Sequence, residues 1–312
     1  MKYSILIPAY NEEQSIKELY DRITSVMDKV ALDDYEILFV DDGSTDRTPE
    51  EIKKLAAKDK KVRYVVFRKN LGKSAGLSVG FERIRGDYVI TMDADLQDEP
   101  KEIPKLIRKM QDGYDLVSGW KEDRQYPIDK TLPSKVFNAI VSKSTGLHFH
   151  DFNCGFKLYK REVVSELVIY GQLYRFIPAL AFERGFKCAE IKVRHNKRKY
   201  GKSKYTWKRI FAGIMDIMTV VFLQKFSRRP MHIFGFTGLI LFVVGFVSLV
   251  YLMILKFILG QHISDRPLMT FGAVFLLAGL QLIFTGLLAE MLTRYNHKNS
   301  IYPIKEDSTL LG

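Results

Sequence analysis

Asp93 and Asp95 stand one residue apart at the end of the run Tyr88-Val-Ile-Thr-Met-Asp-Ala-Asp-Leu-Gln97. The first half of that run is β-branched, aromatic and apolar, the composition of a buried strand. Residues two apart on an extended backbone share a face, so the two carboxylates would lie side by side. Held that close, both stay ionised only with a cation between them, and hard oxygen ligands suit Mg²⁺ or Mn²⁺. The plainer alternative is a solvated turn, since aspartate is common at strand ends. Gly72-Lys73-Ser74-Ala75-Gly76 adds a lysine at the start of a helix, where backbone N–H groups attract phosphate. Its spacing is not that of a G-x-x-x-x-G-K-[ST] loop.

Bringing these residues together is the task of the elements around them. Lys2–Pro8 reads as a strand, followed by the turn Ala9–Glu13 and a helix with Ile16, Leu19, Ile23 and Val26 at helical spacing. Tyr35–Val40 is a second strand, ending in Asp41-Asp42-Gly43-Ser44-Thr45-Asp46, and a helix runs from about Pro49 to Ala57. Val62–Phe67 and Tyr88–Met92 are further strands, separated by the helix that Gly72–Gly76 opens. The alternation predicts an α/β domain with a mostly parallel, Rossmann-like sheet covered on both faces. Carboxyl ends of parallel strands lie along one edge, where such sheets bind ligands. Asn11-Glu12, Asp41-Asp42-Gly43 and Asp93-x-Asp95 would therefore converge on one crevice, with Lys73 beside it.

The last third of the 312 residues has another character. Ile233–Leu255 and Leu268–Ala289 carry no charge, and each exceeds the ~20 residues a helix needs to span a bilayer. Neither shows the polar face of a soluble helix. Lys225, Arg228 and Arg229 precede the first segment, and Arg294 and Lys298 follow the second. By the positive-inside rule the N-terminal domain and the C-terminal tail are expected in the cytoplasm. The net charge of +12 suggests an anionic partner: nucleic acid, a phosphorylated substrate or a membrane surface. Two cysteines, Cys154 and Cys188, argue for a reducing compartment and buried thiols. The expected organisation is a catalytic domain over 1–205, a juxtamembrane amphipathic helix over 206–230, and two spans within 231–293 (about 233–257 and 268–290). A tail, 294–312, completes it. Gly235, Gly238 and Gly245 would permit close helix packing and a homo-oligomer.

Ile5-Leu-Ile-Pro-Ala-Tyr-Asn-Glu12, Val40-Asp-Asp-Gly-Ser-Thr-Asp46, Asn70-Leu-Gly-Lys73 and Met92-Asp-Ala-Asp-Leu-Gln97 resemble the family 2 glycosyltransferases of GT-A fold. The resemblance covers the first ~210 residues, and the two spans are similar to the branch that glycosylates polyprenyl phosphates. It implies an inverting transfer of a hexose from a nucleotide sugar to a polyprenyl phosphate, dependent on Mg²⁺ or Mn²⁺ held by Asp93 and Asp95. In that reading Pro8, Tyr10, Asn11, Glu12, Asp41, Asp42, Lys73, Asp93, Ala94 and Gln97 serve the donor. The segment Asp151-Phe-Asn-Cys-Gly-Phe-Lys-Leu-Tyr159 resembles the dolichyl-phosphate glucose synthase version of a branch motif, which favours UDP-glucose over GDP-mannose. Asp95 and Asp151 are catalytic candidates, Asp151 as a base or as a carboxylate that orients the acceptor.

Two basic stretches remain. Lys121–Lys135 is either a solvated loop or a phosphate-binding one. Cys188–Arg194 reads as a strand, and His195-Asn-Lys-Arg-Lys-Tyr-Gly-Lys-Ser-Lys-Tyr205 after it interleaves charge with tyrosine, as single-strand nucleic-acid sites do. No nucleic-acid module surrounds it, and a loop that takes a lipid-linked phosphate fits better. Arg124, Lys135 and Arg198 are the expected acceptor-phosphate ligands, Arg124 and Arg198 because a guanidinium fork matches phosphate. Thr206–Phe226 has apolar residues at helical spacing and reads as a helix on the membrane surface. His148, His150 and Asp151 form an H-x-H-D pattern that could bind a metal. Two competing functions are a processive polysaccharide synthase, for which Gln172-Leu-Tyr-Arg-Phe176 is a near miss to Q-x-x-R-W, and a non-catalytic membrane scaffold.

Overall fold

A computed structural model describes residues 3–30, 34–121, 138, 141–142, 145–171, 173–196, 199, 230–260, 267–295 and 304–307. Arg124, Lys135 and Arg198 lie outside these residues, as does the expected helix Thr206–Phe226. The described residues fall into two compact units, 3–199 with 304–307, and 230–295.

In the first unit β1 (Tyr3–Ala9) lies between β2 (Tyr35–Asp41) and β4 (Tyr88–Thr91), parallel to both. Beyond β2 runs β3 (Val62–Phe67), also parallel. Burial on both faces explains why β1 and β2 read as continuous apolar runs without alternation. Helix α1 (Ile16–Lys29) turns Ile16, Leu19, Ile23, Val26 and Met27 inward, the spacing expected of it. Helices α2 (Thr48–Lys58) and α3 (Lys73–Arg83) complete the crossovers. The inner face of α3 is made of Ser74, Ala75, Gly76 and Gly80, so it lies close on β1; a Cβ at Gly80 would press into Leu6.

The other half of the sheet departs from a simple alternation. After α4 (Ile103–Gln111) come β5 (Leu116–Lys121), β6 (Lys157–Lys160), the short helices α5 (Arg161–Glu166) and α6 (Ile177–Glu183), and β7 (Cys188–Val193). β6 inserts between β4 and β5, antiparallel to both, while β7 pairs with β5 in parallel. The segment Ile304–Asp307, expected in a tail, instead forms β8, antiparallel to β3 at the far edge. The eight-stranded order is β7-β5-β6-β4-β1-β2-β3-β8. Register places Ala9 beside Asp41, Asp41 beside Val66, and Leu6 beside Thr91. The loops after β1 to β4 therefore leave one edge of the sheet, as expected.

The second unit is a hairpin of α7 (Pro230–Phe257) and α8 (Pro267–Tyr295). Both helices are long and apolar enough to cross a membrane, and only 22 % and 17 % of their most apolar stretches is buried. A core helix of a soluble protein would be mostly covered. Glycines at seven-residue spacing draw the helices together: a Cβ at Gly238 would lie 2.7 Å from the Gly279 carbonyl, and one at Gly245 2.6 Å from that of Gly272. Gly238 and Gly245, expected to permit close helix packing, thus face α8 of the same chain.

Candidate active site at the carboxyl edge of the sheet

The loops after β1 and β2 are bonded to each other before they meet anything else. Asn11 adopts a left-handed conformation (φ 55°); its N–H donates to Ser44 Oγ at 2.9 Å and its Oδ1 accepts from Thr45 N at 2.8 Å. The Glu12 N–H donates to Thr48 Oγ1 at 2.8 Å, and the Glu12 carboxylate accepts from Ser15 Oγ. Pro8 and Tyr10 are half-buried beside this junction. Asp41 and Asp42, expected to contact a nucleoside, are buried and spent on the loops themselves. The Asp41 carboxylate accepts from both the N–H and the hydroxyl of Ser44, and burial raises its pKa. Asp42 accepts from Leu71 N at 2.7 Å, Gly72 N at 2.9 Å and Asn70 Nδ2 at 3.0 Å; burial outweighs these bonds and raises its pKa as well. In doing so Asp42 fixes the approach to α3 and hence the position of Lys73. Gly43 (φ 68°) is needed here, because a Cβ would come within 2.8 Å of the Asn70 nitrogen.

Past the end of β4, Met92, Ala94, Leu96 and Asp98 are buried while Asp93, Asp95 and Gln97 stay accessible. Both carboxylates are thus partly exposed, although the chain is turning there and is no longer a strand. Leu96 takes a positive φ of 61°, the other non-glycine residue to do so among those described. Both such strained residues, Asn11 and Leu96, border this crevice, as strain at functional sites does. Lys73 Nζ donates to Asp93 Oδ1 and lies 5.3 Å from the ring centre of Tyr174. Burial opposes charge on both partners, but Lys73, Lys121 and Lys157 hold the Asp93 carboxyl down at about 2, and Asp93 holds the Lys73 ammonium above its usual range. Gly155 presses against the same carboxylate; a Cβ there would sit 2.6 Å from Asp93 Oδ2.

A charged layer that sequence reasoning missed lies beneath. Lys121, expected in a basic loop, is buried at the end of β5 and pairs with buried Asp98 at 2.7 Å. Asp98 also accepts from the Asp93 N–H at 3.1 Å. Lys157 donates to the Cys154 carbonyl, and burial with Lys73 nearby lowers its pKa to about 8. Burial raises the Cys154 thiol to about 11. Asp151 is 3 % exposed, and its Oδ1 accepts from Asn153 N at 3.2 Å, capping the turn that leads to Gly155. His150 stacks on Trp120 and bonds Glu190 instead of joining a metal cluster with His148 and Asp151. The basic loop begins against the acidic turn: Asn196 N donates to Gln97 O at 2.9 Å, and Gln97 Nε2 meets His195 Nε2 at 3.3 Å.

A family model described as glycosyl transferase family 2 matches residues 4–168, from β1 through α5. The chain belongs to glycosyltransferase family 2. The dodecaprenyl-phosphate galacturonate synthase of Rhizobium johnstonii is 34 % identical over 308 residues, covering 97 % of this chain and 91 % of that protein. An undecaprenyl-phosphate 4-deoxy-4-formamido-L-arabinose transferase of Pseudomonas aeruginosa is 35 % identical over 293 residues, 93 % and 85 % of the two chains. The fold is also that of glucosyl-3-phosphoglycerate synthase from Mycobacterium tuberculosis, solved with Mn²⁺, UDP-glucose and phosphoglyceric acid. That likeness has a TM-score of 0.55 at 20 % identity, over 72 % of this chain and 79 % of the other.

As a GT-A transferase, this chain has a donor set that suits a hard divalent ion. Lys73, Lys121 and Lys157 favour the ionised form of the Asp93 carboxyl, and Asp95, two residues on, is partly exposed as Asp93 is. Among the described residues no group of three or more His, Cys, Asp or Glu could enclose a metal. Two carboxylates leave most of a coordination shell to substrate phosphate and water, the usual arrangement for Mg²⁺ at phosphate sites. Tyr174 and Arg175, from the near miss to Q-x-x-R-W, occupy a 3-10 turn beside Lys73, with Arg175 Nε 3.2 Å from Tyr174 Oη. Neither was singled out from sequence for this site, because nothing in their spacing ties them to α3.

Proposed function

We propose that this transferase moves a sugar from a nucleotide sugar to a polyprenyl phosphate at a membrane, with inversion at the anomeric carbon. The observation that carries the reading is the Lys73–Asp93 pair past the end of β4, with Asp95 two residues further on. The chain is similar to polyprenyl-phosphate sugar transferases along 97 % of its length, the apolar hairpin included. Asp93 and Asp95 would hold the divalent ion, which when bound neutralises the charge that develops on the departing diphosphate. Lys73, at the first turn of α3, binds the same diphosphate with the help of the helix's free N–H groups. Pro8, Tyr10, Asn11 and Glu12 line the nucleoside side, and Asp41 and Asp42 shape it.

Transfer forms a bond from an acceptor phosphate oxygen to the anomeric carbon as the bond to the diphosphate oxygen breaks, its electron pair leaving with the nucleotide. The acceptor is already an anion at neutral pH, so it needs positioning more than deprotonation. Asp151, buried under the Gly155 turn, serves best as an orienting carboxylate. Arg124, Lys135 and Arg198 are proposed for the acceptor phosphate; the bonds from His195 and Asn196 to Gln97 support this for the loop that holds Arg198. Pairing of β8 with β3 supports an even number of membrane crossings, because the segments before and after the hairpin share one sheet. Charge distribution favours the cytoplasmic side for both.

The sugar is the open term. UDP-glucose is the first donor to try; the relatives' uronate and formamido-pentose widen the panel. Membranes containing the protein, given radiolabelled nucleotide sugars in turn and then extracted with organic solvent, should yield a labelled lipid with one of them. Label confined to a water-soluble polymer would favour a processive synthase instead.

A further inference from the structure

We infer that Lys73 keeps the acidic site closed to a lone divalent cation and yields it to a cation that arrives with a nucleotide diphosphate. The inference rests on the donor-site reading above and concerns how that site loads. Asp93 is one of the two expected metal ligands, and in the chain by itself its carboxylate is paired with the lysine. Oδ1 accepts from the Lys73 ammonium, and Oδ2 faces the backbone of Gly155, with no room for even a methyl group between them. The Tyr174 ring stands 5.3 Å from the ammonium and holds it from another side by a cation–π contact. With no larger acidic cluster among the described residues to compensate, a bare cation bound at Asp93 would sit beside a fixed positive charge in a half-buried site.

A diphosphate changes both sides of that balance. Its oxygens complete the cation's shell and offer the ammonium a new anion at the start of α3, where helix N–H groups already point. The long lysine side chain can swing from carboxylate to phosphate without moving the backbone. Cation and nucleotide should therefore bind with positive coupling, and by reciprocity each tightens the other equally. Lys73 acts here as a positioning residue, in addition to its diphosphate contact.

The test is a Mn²⁺ titration of the full-length protein in detergent, with free Mn²⁺ read by electron paramagnetic resonance, alone and with UDP or GDP. Wild type should bind Mn²⁺ weakly alone and about tenfold or more tightly with nucleotide. Lys73→Met should bind Mn²⁺ alone at least about fivefold more tightly than wild type, with a smaller gain from nucleotide. Lys73→Arg, which retains the charge, should stay weak. If thermal melting shows that Lys73→Met is unfolded, Lys73→Gln is read in its place. Mn²⁺ binding to the neutral variant no tighter than to wild type, while nucleotide still tightens it in wild type, overturns the lysine's role and leaves the donor site standing. No Mn²⁺ binding to any form, with or without nucleotide, overturns the metal reading and this proposal together.

Discussion

Asp93 is held by three neighbours: the Lys73 ammonium, the Gly155 backbone, and the buried Asp98–Lys121 pair under its own N–H. Gly155 is the position where sequence and chemistry meet most tightly. Its carbonyl also accepts from Thr91 Oγ1 at 2.7 Å, so the turn cannot retreat to admit a side chain. Gly155→Ala should displace the Asp93 carboxylate and lower kcat about tenfold to a hundredfold, since small misplacements at a reacting centre have effects of that size. Steady-state kinetics beside a melting curve would check it; unchanged kcat would mean that Asp93 tolerates movement. Asp93, Asp95 and Lys73 were legible in the sequence because each follows a strand or opens a helix with a strong pattern. Lys121 and Lys157 were not, because a lysine defaults to solvent and their burial depends on strand pairing that no local pattern announces.

At the scale of elements, the parallel half of the sheet was readable strand by strand, whereas beyond β4 only Cys188–Arg194, which forms β7, was. β6 spans four residues, Lys157–Lys160, with lysine at both ends, so neither alternation nor an apolar run marks it. β8 is a charged edge strand of four residues that pairs with a partner far away in sequence. The amino ends of the central strands carry their own buried polar device. Glu36 on β2 accepts from Ser4 Oγ and from Arg63 on β3, both at 2.6 Å, and from the Arg85 N–H. Burial raises the Glu36 pKa, but these three partners outweigh it and the carboxyl ends below its usual value. The stability so gained is fully present above the unfolded pKa of about 4.3 and is lost as pH falls through the lower folded value. Glu36→Gln strands a buried guanidinium and should destabilise the domain by about 3–5 kcal/mol at pH 7. The gap in melting temperature between wild type and variant should close below about pH 4. A gap independent of pH would assign the loss to packing alone.

For the whole molecule, the hairpin and the sheet are joined through the chain on both sides of the apolar segment. The two spans were evident from composition, as was the close helix packing that Gly238 and Gly245 permit, whereas the return of the chain to the sheet as β8 was not. Because β8 follows the hairpin, a truncation after Arg229 removes an edge strand as well as the membrane segment. Replacing 230–300 by a flexible linker, which keeps β8, should leave a domain that binds nucleotide and melts higher than the simple truncation. Both should lose most transfer to a long-chain lipid phosphate in membranes. Equal melting temperatures would show that β8 adds nothing to the sheet, and full lipid transfer by either form would remove the hairpin from the acceptor's path.

The most direct measurement is mass spectrometry of the lipid extract after purified protein, polyprenyl phosphate and the active nucleotide sugar are incubated with Mg²⁺ or Mn²⁺. The account predicts a single new species, the polyprenyl phosphate carrying one sugar residue. It should be absent in excess chelator and from Asp93→Asn and Asp95→Asn, and restored to wild type by added metal. Undiminished product from Asp95→Asn, or from wild type in excess chelator, would contradict it.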